Sequence, residues 1–471
     1  LLAFVSLAFY VYLSNVAFAY RYLFPGVAGM VLFMAFPLFY TVHLGFTNYS
    51  SSNLLTQERA RAYLLEQTTA DEAHVMPYTL HADGREFRIV LRAPETDAPV
   101  YISPSLALLE NRNPAPVAMV PAAQGSYQIA EALPLHELLK HRNALRHLKL
   151  TLPEGRILDY AGVREFAPIL PVWKAAPGGA LVQVESGRAY TPNMQTGYFE
   201  NGAGERMQPG FKVGIGLANY TRMLFDENLR GPFLSIFAWT VAFAGLTVLF
   251  SLVIGVALAV ILNWESLRYR TAYRTLLFLP YAVPGFISIL VFKGLFNQNF
   301  GEINAILNAL FGIKPAWFSD PTLAKTMIVI VNVWLGYPYI MLLCSGLIKA
   351  IPADLYEASA IAGAGPLTNF FKITAPLIVK PLTPLLISAF AFNFNNFVLI
   401  SLLTDGRPDF LNTKLPAGQT DILVSYTYRI AFQDSGQNFG LAAAISTMIF
   451  VMVALMALLQ LRIAKVNQEK P

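Results

Sequence analysis

Apolar residues in this chain fall in long, nearly uninterrupted runs at both ends. Between them they fall in short alternating or broken runs. A helix that crosses a bilayer needs about 20 mostly apolar residues. Seven stretches reach that length: 1–20, 24–46, 233–262, 275–297, 326–348, 377–403 and 439–461. The middle, residues 47–231, reads as mixed α and β. Glu86 to Arg92 alternates as a half-buried strand does, and Tyr127-Gln128-Ile129, Leu148 to Leu152 and Ala180 to Val184 are further strand candidates. Leu135 to Leu148 has helical spacing, and Pro94, Pro104, Pro153 and Pro177-Gly178-Gly179 punctuate the rest. The pattern predicts an all-α polytopic membrane protein of about seven spans carrying a large, strand-rich mixed α/β insert. It divides into 1–46 (two spans), 47–231 (insert) and 232–471 (a core of five spans).

Charge sharpens the division. Of 34 Lys/Arg and 29 Asp/Glu, residues 47–231 hold 18 and 19, so the insert is close to neutral and the rest of the chain is sparsely charged. This argues against an electrostatic nucleic-acid role for the insert. Arg21, Arg268, Arg270, Arg274, Lys349, Lys372, Lys380, Arg462, Lys465 and Lys470 fall on one side of the membrane if the seven spans alternate, and that side is cytoplasmic. The insert then faces outward, as does Leu1. A chain that starts outside, without Met and inside an apolar run, is expected to lack at least one preceding span.

Several chemistries are excluded. A disulfide framework is excluded because Cys344 is the single cysteine. The five core spans carry no Asp, Glu or His of the kind proton relays use. No Gly-Lys dipeptide occurs, so there is no phosphate loop, and no Gly-x-Ser-x-Gly elbow occurs. His136 and His141 flank Glu137, but they stand five apart rather than the four that places two histidines on one helix face. No metal site is expected.

Residues 349–376 carry the densest information. Pro352 suits a first helical turn and Asp354 its N-terminal end. Leu355 to Ala362 are helix formers, and Gly363, Gly365 and Pro366 interrupt them. Leu367 to Ala375 resume until Pro376. The small residues Ala358, Ser359, Ala360 and Ala362 leave room for an approaching surface beside an exposed Glu357. The spacing of Glu357-Ala358-Ser359, Gly363, Ile373 and Pro376 resembles the EAA loop of ABC importer permeases. Ser359 and Ala375 replace the commoner Ala and Leu.

A second constellation lies at membrane depth. Phe390 to Asn396 holds three amides, and amides there need partners or water. On a continuous helix Phe392, Asn393 and Asn396 share a face. Pro338, within Leu335-Gly336-Tyr337-Pro338-Tyr339, is expected to disturb its span, as are Pro280 and Pro284 in theirs. Three broken or polar helices at similar depth suit a midplane solute site. Amides and aromatic faces without a fixed charge suit a neutral sugar. The same residues also suit plain helix-to-helix adhesion, and the residues alone leave both readings open.

Glu357 to Pro384, Phe390 to Ile400, Pro315 to Pro321, Pro416-Ala417-Gly418 and the outward insert together resemble the MalF-type, larger permease subunit of maltose/maltodextrin ABC importers. The match covers most of 20–460 and is weak within the insert. That family's larger subunit has a leading span missing here. The resemblance implies a bacterial inner-membrane permease with a large periplasmic domain. Its implied partners are a smaller homologous permease subunit (MalG type), an ATPase homodimer (MalK type) and a periplasmic maltose-binding protein. ATP and Mg would be bound by the ATPase, and no cofactor by this chain. It implies that Tyr281, Leu335, Gly336, Tyr339, Phe392, Asn393 and Asn396 line a maltose/maltodextrin site. It also implies that Glu357, Ala358, Ser359, Gly363, Ile373 and Pro376 couple to the ATPase. A serine expected three residues before Phe392 is Ala389. A stand-alone secondary sugar transporter is the alternative, disfavoured by the missing coupling carboxylates. A membrane glycan enzyme would need paired carboxylates that the core spans lack.

Overall fold

The computed structural model describes residues 2–14, 18–92, 99–108, 116–122, 129–264, 266–411, 413 and 415–469. The chain divides into two compact units, residues 55–211 and residues 1–54 with 212–471.

Unit 55–211 is strand-rich. An eight-stranded sheet centres on the hairpin Met76–Asp83 and Glu86–Arg92, whose register pairs Asp83 with Glu86 across a two-residue turn. Gly84 occupies that turn at φ +66°, where a side chain would be strained. Leu80, Ile89, Leu91, Leu150, Leu158 and Phe166 form its core with Leu138 and Leu145. The strand expected at 86–92 is present, but Ile89, Val90 and Leu91 are all buried, so it is covered on both faces rather than one. Strands Lys149–Thr151 and Leu181–Gln183 fall inside the expected segments. The expected strand at 127–129 lies largely outside the described residues. The helical pattern from Leu135 resolves into three short pieces, Leu135–Leu138, Leu139–His141 and Arg142–Leu145. Among the described residues no cluster of three metal-binding side chains exists.

In the other unit five helices are long and apolar enough to cross a membrane: Tyr20–Gly45, Glu227–Asn263, Pro321–Lys349, Pro366–Phe394 and Phe439–Leu459. Three of the seven expected spans differ, and one of them, 377–403, is divided at Asn395. The first stretch forms a 12-residue helix, Leu2–Leu13. The stretch 275–297 is broken into Arg270–Leu277, Leu279–Ala282 and Gly285–Leu295, because Pro280 and Pro284 withhold the N–H groups a continuous helix needs. Pro338 behaves differently. It lies inside an uninterrupted Pro321–Lys349 helix and breaks nothing.

Helices 227–263 and 321–349 run side by side in the same direction. Trp239 meets Lys325, Thr247 meets Asn332 and Gly255 meets Ile340. Every fourth residue on this seam of the first helix is small and buried: Thr247, Ser251, Gly255 and Ala259. A Cβ on Gly255 would stand 2.8 Å from Ile340 Cγ2 and 2.9 Å from the Met341 backbone nitrogen, and one on Gly336 would stand 3.0 Å from Ser251 Oγ. Helices in lipid gain most of their association from such close approach.

A buried charge cluster ties down the segment after Leu403. The Asp421 carboxylate accepts from Arg429 Nη1 at 2.8 Å, the Gly418 amide at 2.7 Å and Ser425 Oγ at 2.7 Å, while Arg429 Nη2 donates to Asp409 at 2.6 Å. Burial pushes the Asp421 carboxyl up to about 6, and the Arg429 guanidinium pulls it the other way. Gly406, at φ +77°, and Gly418 leave no space for a side chain beside this cluster.

Gly255→Ala should destabilise the chain by about 1–3 kcal/mol through overpacking. Gly231→Ala, in the same helix with nothing within 4 Å of the added carbon, should be neutral or stabilising. Arg429→Met, which strands the Asp421 carboxylate, should cost about 3–5 kcal/mol, and adding Asp421→Asn should recover part of that. Unfolding midpoints in detergent check all four variants.

Candidate functional site

A cavity of about 690 Å³ opens where helices 227–263, 321–349 and 366–394 meet the break at Pro284, and Tyr281, Leu335, Gly336, Tyr339, Phe392, Asn393 and Asn396 all line it. The fragments of the 275–297 stretch supply Tyr281 and, at the break itself, Val283, Pro284 and Gly285. The exposed carbonyl of Leu277 is taken by the Tyr337 hydroxyl at 2.9 Å.

The amides do not share one helix. The helix from Pro366 ends at Phe394, Asn395 leaves helical geometry, and Asn396 caps a second helix, Phe397–Leu403. The side chain of Asn396 accepts from the Leu399 amide at 3.4 Å. Competition from this cap is what ends the expected continuous span: an Asn offers the backbone its own acceptor in place of the next helical turn. At the far end of the short helix the Lys293 Nζ donates to the Leu402 carbonyl at 3.1 Å, which fixes helix 285–295 against it.

Asn332, which the sequence reading passed over, joins the amides together. Its Nδ2 donates to Asn393 Oδ1 at 2.7 Å and to Thr247 Oγ1 at 3.2 Å, while its Oδ1 accepts from Asn396 Nδ2 at 3.2 Å. Asn393 in turn donates to the Ala389 carbonyl at 2.8 Å. Asn393 and Asn332 are buried, while Asn396 is half-exposed with longer, weaker bonds. Asn332 stands at spacings of three, four and seven from Leu335, Gly336 and Tyr339, so its face was legible from periodicity. Ser251 and Ser388 also line the cavity, Ser388 one position before Ala389, and the Ser251 hydroxyl is buried without a hydrogen-bond partner. Exposed rings of Tyr281, Tyr339 and Phe392 complete the walls, and no ionisable carboxylate, ammonium, guanidinium or imidazole is among the lining groups. Such a surface can hydrogen-bond hydroxyls and stack on apolar ring faces. It offers no counter-charge.

The second group of residues lies elsewhere. Glu357, Ala358 and Ser359 stand on the helix Ala353–Ile361. Gly363, at φ +74°, closes it, with its amide bonded to Ala360 and that of Ala364 to Ser359. The Ser359 hydroxyl bonds Asn369, and Tyr356 meets Thr374 at 2.9 Å, so the two arms of the turn are tied. Ile373 is half-buried in a π turn, Phe370–Thr374, and Pro376 does not stop the second arm. That wider turn reaches past the missing Pro376 N–H, and the helix continues to Phe394. Glu357 is exposed, as are Leu355, Ile361, Leu367 and Phe371 on the same two arms.

Comparison with known proteins adds the family. Residues 55–216 match the maltose transport system permease protein MalF P2 domain, and residues 251–465 match the binding-protein-dependent transport system inner membrane component. A maltose/maltodextrin transport system permease protein MalF of Yersinia pestis is 50% identical over 98% of this chain and 88% of its own length. Its counterpart from Escherichia coli O6:H1 is 48% identical over 98% and 89%. A solved bacterial alginate ABC transporter, in complex with an alginate pentasaccharide-bound periplasmic protein, aligns at 21% identity over 54% of this chain and 84% of the other, with a TM-score of 0.47. The chain belongs to the MalF family of maltose/maltodextrin permeases: it is a multi-pass inner-membrane transport subunit of an ABC importer and not an enzyme.

Proposed function

We propose that the cavity at Tyr281, Leu335, Gly336, Tyr339, Phe392, Asn393 and Asn396 is the maltose/maltodextrin site on the translocation path. The observation that carries this reading is the convergence of the rings of Tyr281, Tyr339 and Phe392 and the three amides Asn332, Asn393 and Asn396 on one uncharged cavity. Asn396 meets the sugar directly, and Asn332 and Asn393 hold it in place. The loop at 349–376 docks on the importer's ATPase. Its support is an exposed Glu357 among exposed apolar side chains on a turn rigid enough to transmit force. ATP and Mg then act in that MalK-type ATPase homodimer, with none bound here. A MalG-type permease subunit completes the path, and a periplasmic maltose-binding protein delivers sugar to the side that carries the 47–231 insert.

Asn396→Ala should lower maltose uptake by about 5- to 100-fold while the complex assembles and melts normally, since unmet sugar hydroxyls in a dry site cost about 1–3 kcal/mol. Asn332→Ala should lower the melting point as well, because it strips partners from Asn393, Thr247 and Asn396 together. If both variants instead lose stability alike and Asn396→Ala transports normally, the amides serve helix adhesion alone.

Glu357→Ala leaves an exposed helix position almost unchanged in stability, by under about 0.5 kcal/mol. Loss of an interfacial ion pair costs about 2–5 kcal/mol. Co-purification of the ATPase should therefore fall at least about tenfold, or its hydrolysis should no longer follow uptake. Gly363→Leu should do the same through strain at positive φ. Normal attachment and uptake in both variants would reduce the loop to a connector.

A further inference from the structure

A second cavity, of about 670 Å³, lies along helices 227–263 and 321–349 away from the amides. Leu246, Phe250 and Ile254, at successive fourth positions, form one wall and are exposed. Val329, Ile330 and Val333 form the other, and Tyr337 closes the far end. At the near end stands Lys325, half-buried, with its Nζ 5.1 Å from the centre of the Trp239 ring. Its ammonium makes no ion pair or hydrogen bond with any described residue.

This combination is costly as it stands. An ammonium against an apolar wall needs an anion, and an aromatic face supplies only about 0.5–2 kcal/mol of that requirement. Lys325 lies just over one turn into the helix from its Asp320 cap, so it sits near one membrane surface. From Thr322 to Tyr337 the helix rises about 22 Å, at about 1.5 Å per residue. One leaflet contributes about 15 Å of hydrocarbon, with its headgroups beyond. The groove therefore spans headgroup level to past the bilayer centre, with its single cation at the headgroup end.

We propose that this groove binds one anionic phospholipid, its phosphate on Lys325 and an acyl chain along Leu246, Phe250, Ile254 and Ile330. A packed helix from another subunit would have to bring a carboxylate to the level of Lys325. A phospholipid carries its phosphate there by construction, and one with net negative charge brings no ammonium of its own to compete with the lysine.

The test uses the assembled complex, delipidated and then supplied with phosphatidylglycerol or phosphatidylethanolamine, with bound lipid counted by native mass spectrometry. Lys325→Gln should lower phosphatidylglycerol retention at least about tenfold and leave phosphatidylethanolamine unchanged. Lys325→Arg should keep it, and Val333→Trp, which fills the groove with the charge intact, should lose it. A photoreactive phenylalanine at Ile330 should crosslink to lipid. Equal phosphatidylglycerol retention in Lys325→Gln, loss in Lys325→Arg as well, or crosslinking of Ile330 to another polypeptide of the complex would each overturn the proposal.

Discussion

The closeness of helices 227–263 and 321–349 is the constraint on which the permease unit rests. Gly255 and Gly336 let the two backbones approach until Thr247 and Asn332 can hydrogen-bond between them. That bond fixes Asn332, and Asn332 then fixes Asn393 on a third helix and Asn396 at the start of a fourth. A bulkier residue at either glycine would push apart the surfaces that hold the amides. The amide-lined cavity and the groove around Lys325 are thus two sides of one tight seam. One side is lined by what the seam collects, and the other by the apolar residues it leaves on the outside.

The architecture was largely legible in the amino-acid sequence because a bilayer imposes length and apolarity together. Long runs without charge announced helices 227–263, 321–349 and 439–459. Breaks were harder to place. Pro280 and Pro284 interrupt their stretch, but Pro338 does not, although all three are prolines in apolar runs. The difference is tertiary: the flanks of Pro338 are held on both sides by the seam, with Met341 and Ile340 buried against the neighbouring helix. At the Pro280 and Pro284 break the open carbonyl of Leu277 is met instead by the Tyr337 hydroxyl.

The site was legible residue by residue but not in its connectivity. Helical spacing placed Phe392, Asn393 and Asn396 on one face, and all three do line the cavity. They reach it by another route, since Asn396 belongs to the start of the next helix. Periodicity cannot register a side chain that withdraws from the helix to cap its successor. Asn332 escaped because helical spacing gives it the face of Leu335, Gly336 and Tyr339 but says nothing of its partners. Its importance comes from partners 61 to 85 positions away in sequence. In the loop after Ile348 the turn was predicted from Gly363 and Pro366, while the passage of the helix through Pro376 depended on a π turn that composition does not specify.

The break at Asn395–Asn396 has an electrostatic consequence. One helix ends there and another begins, so the last carbonyls of the first lie beside the first amides of the second. Each helix end carries a partial charge of up to about half an elementary charge, negative at the C-terminus and positive at the N-terminus. The break between Ala282 and Gly285 pairs an ending with a beginning in the same way. At both breaks the chain therefore brings helix ends of opposite sign next to each other, so the backbone offers an arriving solute both acceptors and donors rather than a single sign of charge.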